Sequence, residues 1–165
     1  MARSAFSVVV IAAALASGCS GDGPERAPIE GECRALALGG KGYRMHVPTG
    51  SAIEQDASRG SVLVRPNPNG RLVRFFSIAL LAGATLPPPP ENTTLANGLT
   101  LSYSIDENDG GSGGPEAELL GETLLDEVTP VMIVCHDQKE GGANAEWCLD
   151  YLATLEPAAS PEACT

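Results

Sequence analysis

Apolar and polar residues alternate with a period of two along much of the chain, the signature of strands with one buried face. Tyr43, Met45 and Val47 alternate with Arg44 and His46, which predicts a half-buried strand. A short apolar strand over residues 34–38 precedes it and ends at Gly39-Gly40. Residues 61–65 carry Val62, Leu63 and Val64, then a Pro/Asn/Gly turn at 66–70. Residues 71–81 form the longest candidate. Leu72, Phe76, Ile78 and Leu80 line one face and Val73, Phe75, Ala79 and Leu81 the other, which predicts a central strand covered on both sides. Asn97-Gly98 between residues 93–96 and 99–105 is the signal of a type I′ hairpin. Strands over 118–125 and 130–135 follow.

Helical patterning is sparse. Ser51 with Glu54 fits a capping box for one or two turns. Asn144 is placed to cap a C-terminal helix whose Trp147, Tyr151, Leu152 and Leu155 recur at helical spacing, with Pro157 as its stop. Together these elements predict an α+β fold: a single domain with a mainly antiparallel sheet of six to eight strands, a C-terminal helix and one short helix.

The N-terminus reads differently. A single charge, Arg3, precedes an apolar run from Ala5 to Leu15 that matches a signal h-region and is too short to span a bilayer alone. It closes on Leu15-Ala16-Ser17-Gly18-Cys19, which resembles the lipobox of bacterial lipoproteins. The resemblance implies cleavage before Cys19 and acylation of that residue, palmitate included, with stable anchoring by several chains. Ser20 at the next position implies the outer membrane, facing the periplasm. Ala16 departs from the leucine usual three residues before the cysteine; an ordinary cleaved signal with an incidental cysteine is the bland alternative. Residues 1–18 are thus expected to be a signal peptide, 19–32 a lipidated flexible tether, and 33–165 the domain. A tether of that length holds the domain roughly 20 Å from the lipid.

Charge changes the picture further. Without Arg3 the chain keeps nine Lys and Arg against twenty-one Asp and Glu. That excludes nucleic acid as a natural partner, because phosphate is repelled. Eight of the nine cations lie between Arg26 and Arg74, and fifteen acids follow from Glu91 onward. A solvated surface accounts for such a bias, and so does a negative patch for a basic protein partner. Asp106, Glu107, Asp109, Glu116 and Glu118 flank a glycine-rich loop and are the expected partner-binding residues. The loop fails the calcium-hand register: its sixth position is Gly111, but the fifth is Gly110 and the twelfth Ala117.

Cys33, Cys135, Cys148 and Cys164 remain after Cys19. An even number in an exported chain reads as two disulfides, with three pairings open. Cys135–Cys148 with Cys33–Cys164 is favoured, the first closing a short loop and the second tying the domain's ends. No CxxC spacing supports zinc, and no cofactor is implied. No GxSxG, HExxH or Cys/His nucleophile arrangement occurs, so no catalytic residue is assigned and no enzyme is expected. Residues 87–90, four prolines, read as a polyproline II spacer.

The order of elements, from Gly42-Tyr43-Arg44-Met45-His46-Val47-Pro48 through the long strand, the hairpin, the strand into Cys135 and the last helix, resembles PsbP-like domains. Exported members include periplasmic immunity lipoproteins of type VI secretion systems, which bind and block a cell-wall-degrading effector. The resemblance implies a non-enzymatic envelope lipoprotein whose partner is a protein, a basic effector enzyme being the concrete case. It carries over no binding residue. A structural or assembly lipoprotein without a toxin partner is the alternative.

Overall fold

A computed structural model describes residues 29–70, 73–81, 91–109, 114–139 and 142–158. In chain order the elements are β1 (Glu32–Leu38), β2 (Lys41–Val47), β3 (Ala52–Asp56), β4 (Ser61–Arg65), β5 (Arg74–Leu80), β6 (Glu91–Thr94), β7 (Thr100–Asn108), β8 (Glu116–Leu125), β9 (Thr129–Gln138), α1 (Trp147–Leu152) and β10 (Glu156–Pro157). The large sheet runs β3-β4-β5-β9-β8-β7-β6, and a small sheet runs β1-β2-β10. Every pairing is antiparallel. The mainly antiparallel expectation holds: the large sheet has seven strands, within the six to eight expected, and a second sheet of three is added among the described residues.

The period-two pattern places the core. Leu36, Leu38, Tyr43, Met45 and Val47 of the small sheet pack with Val62, Val64, Phe76, Ile78, Leu101, Leu119, Ile133 and Cys135 of the large one. Cys148 and Leu152 of α1 join the same cluster. The Cys135–Cys148 disulfide staples the helix to β9 across the core, its Cα atoms 6.2 Å apart. Gln55 of β3 ties the sheets at one edge: its side chain accepts from Ala37 N–H (2.9 Å) and donates to Ala35 O (3.4 Å), completing one rung on β1. Cys164 and Cys19 lie outside the described residues.

Four local expectations are corrected. The Ser51–Glu54 capping box opens a strand, not a helix. Ser51 turns back, N–H and hydroxyl both donating to Pro48 O (3.1 and 2.5 Å), and Ile53 pairs with Val64. Long-range pairing overrides the local cap signal, and α1 is the one helix among the described residues. β5 is central in the sheet, yet only its Phe76 and Ile78 face is buried; Phe75, Ser77 and Ala79 remain half-buried. Asn97-Gly98 does not make a two-residue type I′ turn. Gly98 N–H closes on Leu95 O (2.9 Å) and Leu95 N–H on Leu99 O (2.8 Å), with positive φ at Gly98 and not at Asn97, a three-residue loop with a glycine bulge. Finally, α1 ends at Leu152, well before Pro157, which instead pairs with Tyr43.

Candidate functional site

The outer face of the large sheet carries no buried side chain, and the small sheet and α1 lie on the opposite side. Strand register orders it into rows. Leu63, Ser77, Val134, Leu120 and Ser104 cross the sheet in one row. Phe75, His136, Glu118 and Asp106 form the next. The centre is therefore small and apolar, and the β7–β8 side is acidic. Phe75 and His136 stack with ring centroids 5.2 Å apart, and His136 Nδ1 sits 3.9 Å from Glu118.

The structure separates the five acids expected to meet a partner. Asp106 and Glu118 are register partners on the outer face, so two like charges face each other there. Glu116 shares that face and accepts from Gln138 Nε2 (3.0 Å). Glu107 pairs with buried Ala117 and so projects from the opposite face. Asp109 lies beyond the end of β7. Among the described residues, no three His, Cys, Asp or Glu side chains converge as a metal site would require.

A second acidic end, missed by the sequence reading, lies at the β8–β9 turn. Val128 N–H closes this turn on Leu125 O (3.2 Å), and both central residues, Asp126 and Glu127, take positive φ (49° and 60°). Asp126 Oδ2 accepts from Tyr43 Oη (2.7 Å) and Lys41 Nζ (3.2 Å). Burial, then the bond to Asp126, pushes the Tyr43 phenol well above its ordinary range. The bond from Tyr43 and the nearby Lys41 hold the Asp126 carboxyl below the usual value. Beside the turn opens a groove of about 980 Å³, walled by Leu81, Leu99, Leu124, Pro130, Leu155 and Pro157. Leu124 and Val128 are 52% and 71% exposed, unusual for large apolar side chains. The available signal was the acidic pair set between two apolar strands.

Asp137, the buried acid among the described residues, is held by Arg74 (Nε–Oδ1 2.8 Å, Nη2–Oδ2 3.1 Å) and by Asn144 N–H (3.0 Å). The Arg74 guanidinium also lies 4.7 Å from the Trp147 ring centroid. This carboxylate is bound up in packing, with both its oxygens accepting hydrogen bonds.

Fold and surface define a small antiparallel β domain with an open, acid-edged sheet face. Residues 44–156 match the type six secretion immunity 3 domain, and the chain belongs to that family. The immunity part of the resemblance drawn from element order is thereby borne out. No curated protein matches the chain. A solved structure from Bacteroides thetaiotaomicron VPI-5482 is similar at 18% identity and a TM-score of 0.52, over 81% of this chain. The chain spans 51% of that protein's length, and the likeness concerns fold alone.

Proposed function

We propose that the chain is a lipid-anchored immunity protein of the periplasm that binds a secreted effector and blocks it without catalysis. Family membership carries the reading. The lipobox-like stretch ending at Cys19 supports anchoring at the outer membrane, and the residues between it and β1 supply a tether. The contact surface is the open sheet face with its acidic β7–β8 side. Asp106, Glu116 and Glu118 make the charged contacts, with Glu107 and Asp109 at the rim. A half-buried apolar centre beside an edge of like charge suits a basic protein surface, since the charges steer encounter and the centre supplies desolvation. The pairing Cys33–Cys164 completes the fold in this reading, and the PsbP-like layout is its structural kinship.

The test is binding and protection with the secreted effector encoded beside this chain. Wild-type protein is expected to bind it and to rescue growth of cells receiving it in the periplasm. The triple variant D106K/E116K/E118K is expected to bind at least about tenfold more weakly, or 1.4 kcal/mol, with an unchanged melting temperature. Unchanged affinity removes the β7–β8 side from the contact. Absence of binding by the wild type, or envelope-assembly genes in place of an effector gene, favours the structural or assembly lipoprotein. Replacing Cys19 by serine is expected to abolish palmitate labelling and release the protein from membranes.

A further inference from the structure

The groove at the β8–β9 turn lies at the other end of β8 from the Glu116–Glu118 acids, although Glu122 and Leu124 of its lining share their face of the strand. Its walls are aliphatic and proline carbons, and Glu122, Asp126 and Glu127 are its charged lining residues; among the described residues no lysine or arginine lines it. Asp126 is occupied by Tyr43 and Lys41. Neither Glu122 nor Glu127 has a hydrogen-bond or ion-pair partner among the described residues. Among the described residues, two of the three exposed large apolar side chains, Leu124 and Val128, sit at the same turn. A protein that keeps its apolar atoms inside gains nothing from leaving both in water, and contiguous apolar exposure rimmed by charge marks an interaction surface.

We infer that this groove docks an extended segment of the partner protein bearing an arginine or lysine beside an apolar residue. A long cationic side chain fits both halves of the surface. Its methylene stem lies along Leu81, Leu124 and Pro130, and its charged head reaches the unpaired carboxylates of Glu122 and Glu127. Leu124 and Val128 receive the neighbouring apolar side chain. The two unpaired carboxylates of the lining, Glu122 and Glu127, choose a cation over an anionic or neutral occupant, and the acidity of the whole chain strengthens that choice. The inference rests on the immunity reading for the identity of the partner, and on the groove alone for its chemistry.

The first experiment uses a defined probe. An acetylated and amidated pentapeptide of alternating leucine and arginine is titrated into the nitrogen-15-labelled chain, beside its citrulline counterpart, which keeps the shape and loses the charge. Amide shifts are expected at residues 97–100 and 122–128, with the citrulline peptide binding about tenfold more weakly. The double variant E122Q/E127Q is expected to erase that difference while its circular dichroism stays native. Equal affinity for the two peptides overturns the inference, as do shifts centred elsewhere. So do concentration-dependent shifts at the groove in the free protein, which assign it to a second copy. The second experiment uses the effector. If wild type binds it and E122K/E127K binds equally well, the groove inference falls and the immunity reading stands. If wild type fails to bind it while the peptide titration succeeds, the immunity reading falls and the groove's preference for cations stands.

Discussion

The side-chain amide of Asn97, in the β6–β7 turn, donates to the carbonyl of Leu152 at the end of α1 (2.9 Å) and to that of Leu155 at the same distance. One side chain thus binds two carbonyls where the chain leaves α1, that of Leu152 also accepting from Leu155 N–H (3.0 Å). Its Oδ1 accepts from Leu99 N–H (3.2 Å), fixing the turn itself. The turn and the helix are 55 residues apart in sequence, so Asn97 joins two regions that no local rule connects. Replacing Asn97 by alanine is expected to cost about 0.5–1.5 kcal/mol for each hydrogen bond lost. Aspartate, equal in shape, should cost more, because a carboxylate then faces two carbonyl oxygens. Urea denaturation of the three proteins checks the order; an aspartate variant as stable as wild type would remove the role given to the amide.

The same residue shows what the sequence can and cannot carry. Asn97-Gly98 predicts a type I′ turn because both residue types tolerate positive φ, yet only Gly98 adopts it. Strand positions such as Tyr43, Met45 and Val47 were legible because alternation is a local consequence of one buried face. The partition into two sheets was not, since it depends on which strands meet. β2 pairs with β1 and β10, and β5 with β4 and β9. The uncovered face of Phe75 and Ala79 escaped for the same reason: apolar residues on both sides of a strand do not say whether a second layer exists. Of the acids singled out, Asp106, Glu116 and Glu118 do share a face. The Asp126–Glu127 end was invisible because its character comes from backbone conformation and from Tyr43, 83 residues away.

The Cys135–Cys148 disulfide closes a loop with a sequence separation of 13, and both residues are fully buried. Chain entropy assigns it about 3 kcal/mol. The double alanine variant should therefore melt at a lower temperature while keeping its strand content, with the largest loss of hydrogen-exchange protection in α1. In the wild type, reductant reaches these sulfurs only when the core opens. The rate of reduction should then follow the rate of global unfolding across urea concentrations. Reduction at a rate independent of urea would place the bond outside the cooperative core.

Arg74 and Asp137 make a prediction about pH. Burial alone raises the Asp137 carboxyl, but the hydrogen bonds from Arg74 and from Asn144 N–H, with the charge of Arg74, outweigh it and hold the group below its ordinary 3.8. A depressed folded-state value adds stability above pH 3.8, and that stability is lost as pH falls through the lower native value. Arg74→Met leaves a carboxylate whose side chain is 3% exposed without its charged partner. The cost at neutral pH should be about 3 kcal/mol, the low end for a broken buried pair, because the Arg74 side chain is itself 38% exposed. Below pH 3.8 the difference between variant and wild type should shrink, since protonation relieves the stranded charge in the variant and removes the ion pair in the wild type. A gap constant from pH 7 to pH 3 would show that Arg74 acts through packing on Trp147 instead.

The turn at Asp126 and Glu127 separates stability from binding. Left-handed backbone costs a residue with a Cβ about 1–2 kcal/mol, and both residues bear it (φ 49° and 60°). Asp126 is compensated by Tyr43 and Lys41; Glu127 has no such partner. Glycine at 127 relieves the steric strain and gives back part of the gain through the greater freedom of its unfolded chain. Glu127→Gly is therefore expected to raise stability by up to about 1 kcal/mol, read as a higher urea midpoint with an unchanged slope. It also deletes one of the two unpaired groove carboxylates, so the arginine-containing peptide should bind this more stable protein less well. Asp126→Ala should lose stability, because the buried Tyr43 hydroxyl is then left without its acceptor. Glu127→Gly with lowered stability would show that the turn is not strained at that residue. Higher stability with undiminished peptide affinity would remove Glu127 from the docking surface and leave Glu122 to carry it.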